Sequence, residues 1–357
     1  MQSETPRSLT IASLLHENFD KAALENMFGG EGYGAAKLTE EERALILLPP
    51  ENPPLHVQGE FPEFLESDLS EIFGANLLPE MSALTERAPV DLRVNTLKTL
   101  PADVLAQLRA DGYDANPARY SPLGIRIAPG AGFAALSKSP AFENGLFDFQ
   151  DEAAQIASLL CAAKPGMRIL DLAAGAGGKS LALAAQMNNI GEIIACDIRR
   201  DALDQLAMRA ARAGATIIHP QMANELGPQS FDLVLVDAPC SGSGTWRRQP
   251  ELKWRLTPVR IAEFTAIQDQ LLAQAAKLVR PGGRVVYATC SLLPSENERR
   301  IAGLLSREPD LKPLSAAAIW REAIGTNPPP GMGEFFRASP YLTGTDGFFA
   351  AILMRAG

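Results

Sequence analysis

Two cysteines in this chain of 357 residues each follow a short apolar run. One run reads FDLVLVDAPC and ends at Cys240, and the other reads GRVVYATC and ends at Cys290. Apolar runs of this length are typical of strands buried in a parallel sheet, and ligands bind at the carboxyl ends of such strands. If the two strands are neighbours, both thiols face one ligand. A cysteine thiolate is a strong nucleophile, so the pattern indicates covalent catalysis.

The remaining cysteines and the histidines indicate no second reactive centre. Cys161 lies in an apolar helical pattern and Cys196 lies inside the strand-like EIIACD, as expected of small core residues. The chain has no Cys-x-x-Cys pair, and His16, His56 and His219 lie outside Gly-rich and strand-end motifs. We therefore predict no metal site and no histidine-based triad.

The elements that must position the two thiols follow a regular alternation. From about residue 146, strand candidates are separated by helical patterns such as KSLALAAQM, and these candidates read MRILDLA, EIIACD, ATIIHP, FDLVLVD and GRVVYATC. Strands that alternate with helices predict an α/β fold with a doubly wound, Rossmann-like parallel sheet covered on both faces.

The chain divides into three predicted parts. Residues 1–55 form a helical segment in which TEEERALILL reads as a helix capped by Thr39 and Glu42, and a proline cluster at residues 49–54 ends it. Residues 56–145 contain the strand-like LRVNTL and GIRIAP and the helical ADVLAQLRADG, which predicts a small α/β domain. Residues 146–357 form the domain with the doubly wound sheet.

Charge and hydropathy restrict the partners. No apolar run is long enough to span a bilayer, and the first residues lack the basic flank and cleavage site of a signal peptide, so we expect a cytoplasmic protein without membrane partners. The net charge of −9 argues against a nucleic-acid partner for the chain as a whole. Residues 245–260, however, read TWRRQPELKWRLTPVR, in which five positive residues accompany one acid and two tryptophans.

A glycine-rich turn follows the first strand of the larger domain. Glycines allow a tight turn whose backbone amides approach a ligand at a helix N-terminus. We predict cofactor contacts by Ala173, Ala174, Gly175, Ala176, Gly177, Gly178 and Lys179. Asp197 ends the second strand, where a carboxylate can accept hydrogen bonds from ribose hydroxyls. These two features alone also fit an NAD dehydrogenase, or a glycine turn that only closes a helix on a strand.

The cysteines favour methyl transfer to an unreactive carbon over hydride transfer. Carbon 5 of cytosine is too weak a nucleophile to attack a methyl sulfonium directly. Addition of a thiolate at carbon 6 activates carbon 5, and loss of the carbon 5 proton with elimination of the thiol restores the aromatic ring. An acid near the ring must stabilise the charge that develops around nitrogen 3, and Asp237 is three residues before Cys240.

Several motifs carry a family resemblance. DAPCSG at residues 237–242 together with TCS at residues 289–291 resembles the signature pair of the Nop/Sun family of RNA 5-methylcytosine methyltransferases, in particular its Sun/Fmu branch. Further matches occur in the family's order along the chain, before and after these two motifs. They are LRVNTLK, FQDE, the basic tryptophan-bearing segment, SENE and DGFF. The resemblance implies a class I S-adenosylmethionine methyltransferase fold, S-adenosylmethionine as cofactor and RNA as substrate.

The resemblance also implies roles for the residues that match its motifs. Cys290 falls on the family's nucleophile and Cys240 on the cysteine that assists release of the methylated RNA. Spacing alone does not rank the two thiols, and DNA cytosine methyltransferases use a Pro-Cys nucleophile, so the reverse assignment stays open. Lys179 and Asp237 fall near the target base, and Asp197 and Asp237 near the cofactor.

The chain departs from the family at the cofactor. Ala173, Gly175, Ala176 and Ser180 stand where the family's loop has Cys, Ala, Pro and Thr. At the third strand, Gln221, or alternatively Asn224, replaces an acid that binds the adenine amino group.

RNA contacts are predicted in two segments. Arg247, Arg248 and Trp254 would line a phosphate-contacting wall with an aromatic face for stacking, although a solvated structural segment explains the same residues. Arg93 and Asn95 would contact RNA from the smaller domain, where a role in a strand and turn is the alternative.

Several hypotheses about function remain at this point. The first is an RNA cytosine-5 methyltransferase acting as a monomer, on ribosomal RNA by default and on transfer RNA as the alternative. The second is a catalytically weak RNA-binding assembly factor, suggested by the altered cofactor loop. Methyltransferases acting on protein or small molecules are a third possibility, but they would not need both thiols.

Overall fold

The computed structural model describes residues 5–16, 19–30, 34–47, 53–128 and 133–357. The chain forms two compact units, Met1–Pro54 and Leu55–Gly357. The first unit therefore ends one residue before the predicted end of the helical segment. Of the prolines predicted to end that segment, Pro49 and Pro50 lie outside the described residues.

The described part of the first unit is helical. Its helices are α1 (Pro6–His16), α2 (Lys21–Met27) and α3 (Glu40–Leu47). The predicted capping box at the start of α3 is confirmed: the Thr39 hydroxyl accepts a bond from the Glu42 amide at 3.1 Å, and the Glu42 carboxylate accepts one from the Thr39 amide at 2.8 Å. Glu42 also pairs with Arg7 of α1 at 2.7 Å, which joins two of these helices.

The second unit contains a small antiparallel sheet. Its strands are β1 (Val90–Val94), β2 (Ala115–Pro117), β3 (Gly124–Ile127) and β4 (Phe147–Phe149), in the order β2-β3-β1-β4. The hydrophobic side chains of β1 and β3 are buried with those of the helix at residues 101–110, as the small α/β domain predicts. The fourth strand, β4, lies beyond residue 145, the predicted end of that domain. Its three residues are too few to show an alternating pattern in the sequence.

The larger sheet of the second unit is mixed. Its strands are β5 (Arg168–Asp171), β6 (Glu192–Asp197), β7 (Ile218–Met222), β8 (Phe231–Asp237), β9 (Val279–Thr289), β10 (Leu311–Leu314), β11 (Phe336–Ala338) and β12 (Phe348–Arg355). The order is β10-β12-β9-β8-β5-β6-β7, with β11 paired to β12. The five predicted strands, β5 to β9, are mutually parallel, whereas β12 is antiparallel to β9, β10 and β11.

Helices cover both faces of the larger sheet, and two core clusters lie on its opposite sides. The helices of the second unit are α4 (Leu55–Gln58), α5 (Glu66–Phe73), α6 (Leu77–Ala83), α7 (Pro101–Ala110), α8 (Phe133–Leu136), α9 (Pro140–Glu143), α10 (Glu152–Leu160), α11 (Gly178–Gln186), α12 (Arg200–Ala213), α13 (Glu251–Arg255), α14 (Pro258–Leu278), α15 (Glu298–Arg307), α16 (Ala316–Ile324) and α17 (Pro340–Thr343). Among the described helices, none has both the length and the apolarity needed to cross a bilayer.

The strand order reverses between β5 and β8. From β5 the chain proceeds outward through β6 and β7 on one side, while β8 and β9 lie on the other side. Loops that leave the carboxyl ends of two such strands diverge and open a crevice, which is where doubly wound folds bind ligands. Asp171 ends β5 and Asp237 ends β8, so both acids lie at this crevice.

Candidate active site

The two strand-end cysteines are in contact. The sulfur atoms of Cys240 and Cys290 are 3.4 Å apart, both thiols are free, and both side chains are only partly buried. The strands that precede them, β8 and β9, are parallel neighbours, and the Gly244 amide donates to the Cys290 carbonyl at 2.9 Å, which ties the two loops together. The two strands are neighbours, as the prediction required, and they bring both thiols to one place at the end of the sheet.

The contact between the thiols affects the electrostatics of Cys240. The hydrogen-bonding contact with Cys290, reinforced by burial, raises the pKa of Cys240 well above the usual range of a thiol. Either sulfur can donate the hydrogen bond that joins the two side chains.

An ion pair lies at the same end of the sheet. The Lys179 ammonium is 2.5 Å from the Asp237 carboxylate and 5.0 Å from the centre of the Phe348 ring. Lys179 belongs to the first turn of α11 and Asp237 ends β8, so residues from the two sides of the crevice meet there. The sequence predicted both residues for this place. The carboxylate keeps a third of its surface exposed, which leaves it accessible to a ligand.

The glycine turn before α11 has the backbone that a close ligand approach requires. Gly175 and Gly177 both have positive φ angles, 53° and 81°. A Cβ atom on Gly177 would lie 2.5 Å from the Leu206 side chain of α12, so this glycine also lets the helix pack closely. The turn keeps this form although alanine and glycine replace the residues that the family pattern expects at several of its positions.

Asp197 organises this turn. Its carboxylate accepts bonds from the Gly175 amide at 2.8 Å and the Arg199 amide at 2.9 Å, and from the Arg199 guanidinium at 3.1 Å. Burial opposes ionisation, but these bonds outweigh it and lower the pKa of Asp197. The acid is thus a charged acceptor at the end of β6. Arg199 is 61% exposed and can move when a ligand hydroxyl approaches.

The predicted adenine contact lies at the end of the next strand. Gln221 is paired with Cys196 across β6 and β7, and its amide nitrogen donates to the Glu225 carbonyl at 2.8 Å. An amide used in this way offers its oxygen as an acceptor. The alternative, Asn224, lies in the exposed turn after β7.

Asp171 is a candidate that the sequence reasoning did not single out, although an acid ending the first strand was the available signal. It is fully buried, and its Oδ2 accepts a bond from the Ser180 hydroxyl at 2.6 Å. Its Oδ1 has no hydrogen-bond partner among the described residues, and burial raises its pKa to about 7. A buried acceptor without a partner beside a glycine turn fits a site that a polar ligand completes.

Arg93 and Asn95 are internal rather than at an RNA-facing surface. The Arg93 guanidinium is buried and donates to the Gln150 side chain at 2.5 Å and to the Gly178 carbonyl at 2.6 Å, and burial lowers its pKa to about 10. The Asn95 amide donates to the carbonyls of Gly145 and Ala213 at 2.9 and 2.8 Å. These contacts fit the alternative for both residues, a role in a strand and turn of the small domain.

The basic segment after Cys240 is divided between the interior and the surface. Arg247 is 5% exposed and pairs with Asp346 at 2.6 Å, and Arg248 pairs with the same carboxylate and with Asp151. These partners take up part of the guanidinium groups that were predicted to meet phosphates, although a third of the Arg248 side chain stays exposed. Trp246, the other tryptophan of the segment, is fully buried, whereas Trp254 is 63% exposed. Of the three predicted RNA contacts in this segment, Trp254 has the largest exposed fraction.

Replacing Arg247 with alanine is expected to reduce the free energy of unfolding by about 1–3 kcal/mol, because the buried Asp346 carboxylate would lose one of its two guanidinium partners and keep only Arg248. Arg260→Ala is the matched control, since Arg260 and Glu263 form an exposed pair whose loss should cost less than about 1 kcal/mol. Denaturant unfolding measures both. Equal, small losses for the two variants would show that Arg247 is not a structural residue.

In the described parts of the chain, no group of three or more His, Cys, Asp or Glu residues is arranged to hold a metal ion. The sheet order with one antiparallel strand between β9 and β10, the glycine turn after β5 and the acid after β6 define a class I methyltransferase.

Comparisons with known proteins place this class more narrowly. Residues 158–354 match the family model described as 16S rRNA methyltransferase RsmB/F, and residues 61–132 match its ferredoxin-like domain. The chain belongs to the RsmB/F family, and its class of activity is RNA methylation.

Three similar proteins illustrate this membership. The probable ribosomal RNA small subunit methyltransferase B of Synechocystis is 32% identical over 88% of this chain and 71% of its own length. The crystal structure of a methyltransferase homologue from Pyrococcus horikoshii has a TM-score of 0.71 and 25% identity, over 84% of this chain and 97% of that chain. NSun6 from Pyrococcus horikoshii, solved with SFG, shares the fold with a TM-score of 0.72 and 23% identity, over 83% and 99% of the two chains.

Proposed function

We propose that this protein methylates carbon 5 of a cytosine in RNA, with S-adenosylmethionine as methyl donor and through a covalent bond between cysteine and carbon 6. The observation that carries the proposal is the contact of two free thiols at 3.4 Å, at the strand ends that also hold the Lys179–Asp237 ion pair. Methylation of an exocyclic amine or a ribose hydroxyl needs no thiol. Cytosine carbon 5 needs a nucleophile at carbon 6 and a second group that helps to end the reaction.

The cofactor site that we propose uses residues at the ends of β5, β6 and β7. S-adenosylmethionine supplies an electrophilic methyl group when it is bound. The glycine turn offers backbone amides, Asp197 offers an ionised acceptor for ribose hydroxyls, and the Oδ1 atom of Asp171 is a buried acceptor that a polar ligand group can satisfy. We propose that Gln221 accepts from the adenine amino group through its amide oxygen. These features support cofactor binding despite the altered loop.

The residues of this chain divide the remaining steps. The Cys290 sulfur forms a bond to carbon 6 of the cytosine, and Asp237 and Lys179 face the ring edge where charge develops at nitrogen 3. After carbon 5 has gained its methyl group, its proton passes to a solvent water molecule. The electron pair of that C–H bond restores the double bond between carbons 5 and 6, and the electron pair of the bond between carbon 6 and sulfur returns to Cys290 as a thiolate. Cys240, beside the sulfur that must leave, assists this last step.

Asp237→Asn is expected to lower kcat by about 10²–10³-fold with a much smaller change in the KM for RNA, because it removes charge stabilisation that the transition state needs most. Asp232→Asn is the matched control: this acid is the second residue of the same strand, at the end opposite to Asp237, and pairs with Arg280. Steady-state methylation assays measure both variants. A decrease shared by the two would attribute the loss to the strand rather than to the site.

The RNA substrate that we propose is ribosomal RNA of the small subunit, in keeping with the family. The test incubates the protein with methyl-labelled S-adenosylmethionine and either small-subunit ribosomal RNA or transfer RNA, followed by digestion and analysis of the nucleosides. We expect labelled 5-methylcytidine from the ribosomal RNA. Label in another nucleoside would contradict the proposed chemistry, and label only in transfer RNA would contradict the proposed substrate.

The assembly-factor hypothesis makes a different prediction. It expects RNA binding without methyl transfer and, in calorimetry, no binding of S-adenosylmethionine. Within the proposed function, Trp254 is the RNA contact best supported by its exposure, while the protein partners of Arg93, Asn95, Arg247 and Arg248 argue against their direct contact with RNA. The cytoplasmic location, the monomeric state and the RNA-binding role of the small domain stay predictions.

A further inference from the structure

One buried carboxylate joins the two cysteine loops. Glu296 is fully buried in the turn between β9 and α15, six residues after Cys290. Four side-chain or backbone donors converge on its two oxygen atoms, and all four are uncharged. None of the proposed catalytic steps uses this residue.

The contacts of Glu296 are symmetric with respect to the two cysteines. Cys240 is followed by Ser241 and Cys290 by Ser291. Both serine hydroxyls donate to the same carboxylate oxygen, Oε2, each at 2.5 Å. The position of one residue next to each thiol is therefore set by a single atom.

The second carboxylate oxygen continues the link towards Cys240. Oε1 accepts the Ser241 amide at 2.9 Å and the Gln268 side-chain amide at 3.0 Å. Gln268 belongs to α14, and the same amide group donates to the Pro239 carbonyl at 3.0 Å. The residues on both sides of Cys240 are thus held, directly or through one side chain, by Glu296.

The next residue, Asn297, holds the neighbours of Cys290 in a similar way. Asn297 accepts a bond from the Thr289 hydroxyl at 2.6 Å and donates to the Ser291 carbonyl at 2.8 Å, so it contacts both neighbours of Cys290. The Tyr287 hydroxyl fixes the backbone of the turn by donating to the Glu296 carbonyl at 2.6 Å. The turn is consequently anchored to β9 and cannot shift independently of the Cys290 loop.

We propose that Glu296 is a positioning residue that sets the separation and orientation of the Cys240 and Cys290 thiols. The part of this proposal that concerns turnover rests on the proposed function, and the part that concerns thiol geometry does not. Oε2 accepts from two hydroxyls and Oε1 from two amide groups, so all four contacts use the carboxylate of Glu296 as an acceptor. A glutamine of the same shape turns one of these acceptors into a donor, which forces the serine hydroxyls or the Ser241 amide out of place.

The thiol geometry can be tested without substrate. Dibromobimane becomes fluorescent when it bridges two nearby thiols, and the other two cysteines of the chain are fully buried. The wild-type protein is expected to be bridged rapidly, and Cys240→Ala and Cys290→Ala are expected to give no fluorescence. In Glu296→Gln the bridging rate should fall by about tenfold, since the thiols spend less time at the native separation. A rate within twofold of wild type would overturn the proposal.

Kinetics provide the second measurement. Glu296→Gln is expected to lower kcat by about 10²-fold while the KM values for RNA and S-adenosylmethionine change by less than about threefold, because the loss lies in the alignment of reacting groups. Glu298→Gln is the matched control: it lies in the same SENE motif, is mostly buried and pairs with Arg337 instead of the cysteine loops. Equal losses in the two variants would reduce Glu296 to a structural residue.

Two further variants keep the test decisive. Glu296→Asp retains the charge but is one methylene shorter, so it should not restore either measurement. Should the Gln variant fail to fold, Ser291→Ala decides, because it removes one of the four donors and should lower the bridging rate in the same direction. A wild-type protein that is bridged normally but does not methylate cytosine would contradict the proposed function and leave the thiol geometry supported.

Discussion

Replacement of Cys290 by alanine is expected to lower methyl transfer to RNA by at least about 10⁴-fold. Without the sulfur, no group forms the bond to carbon 6, and carbon 5 of the cytosine is not nucleophilic enough to take the methyl group. The loss should appear in kcat and in kcat/KM alike, because the residue acts on the transition state more than on substrate binding. Transfer of label from methyl-labelled S-adenosylmethionine to RNA measures it.

The variant should stay folded, since the Cys290 side chain is small and partly exposed. Cys161→Ala is the matched control, because Cys161 is a fully buried core cysteine at the end of α10, away from the strand ends. It should retain full activity, with a loss of stability of about 1 kcal/mol. Intact methylation by Cys290→Ala would refute its assignment as the nucleophile.

Replacement of Cys240 by alanine is expected to trap the protein on its RNA. Cys290 still attacks carbon 6 in this variant, but the step that ends the reaction loses the group beside the leaving sulfur, and turnover should fall by about 10²–10³-fold. The covalent protein–RNA species should then accumulate. A denaturing gel resolves it as a slow-migrating band that disappears on nuclease treatment.

The double variant Cys240→Ala/Cys290→Ala provides the control and should form no such band. The same experiment decides the order of the two thiols. A covalent species that accumulates in Cys290→Ala but not in Cys240→Ala would reverse the assignment and make Cys240 the nucleophile.

The sequence was most informative where function depends on the ends of buried strands. The apolar runs before Cys240 and Cys290 predict two parallel strands, and a parallel pair brings its carboxyl ends together whatever the loops do. The glycines before α11 and the acid after β6 are local signals of the same kind. For this reason the meeting of the two thiols could be anticipated from the strands, whereas the place of Lys179 beside Asp237 was implied only by the family resemblance.

Prediction was least complete where a side chain finds its partner far along the chain. Arg247 and Arg248 read as a basic surface because Asp346, about a hundred residues later, gives no local sign that it will neutralise them. Arg93 likewise depends on the Gly178 carbonyl, a backbone atom whose position follows only from the packing of two sheets. Local periodicity carries no information about such pairings. The Ser241 and Ser291 hydroxyls that meet at Glu296 are a further example, because a serine next to a cysteine gives no local sign of a carboxylate partner.

The contacts of Arg93 and Asn95 determine whether the small sheet can be separated from the larger one. Arg93 comes from the central strand of the small sheet, yet it supports the first turn of α11, where the glycine turn ends. Asn95 likewise bonds the end of α12. Residues 55–357 accordingly form one compact unit. The larger sheet is therefore not structurally independent, because the first turn of α11 and the end of α12 are held in part by the small sheet.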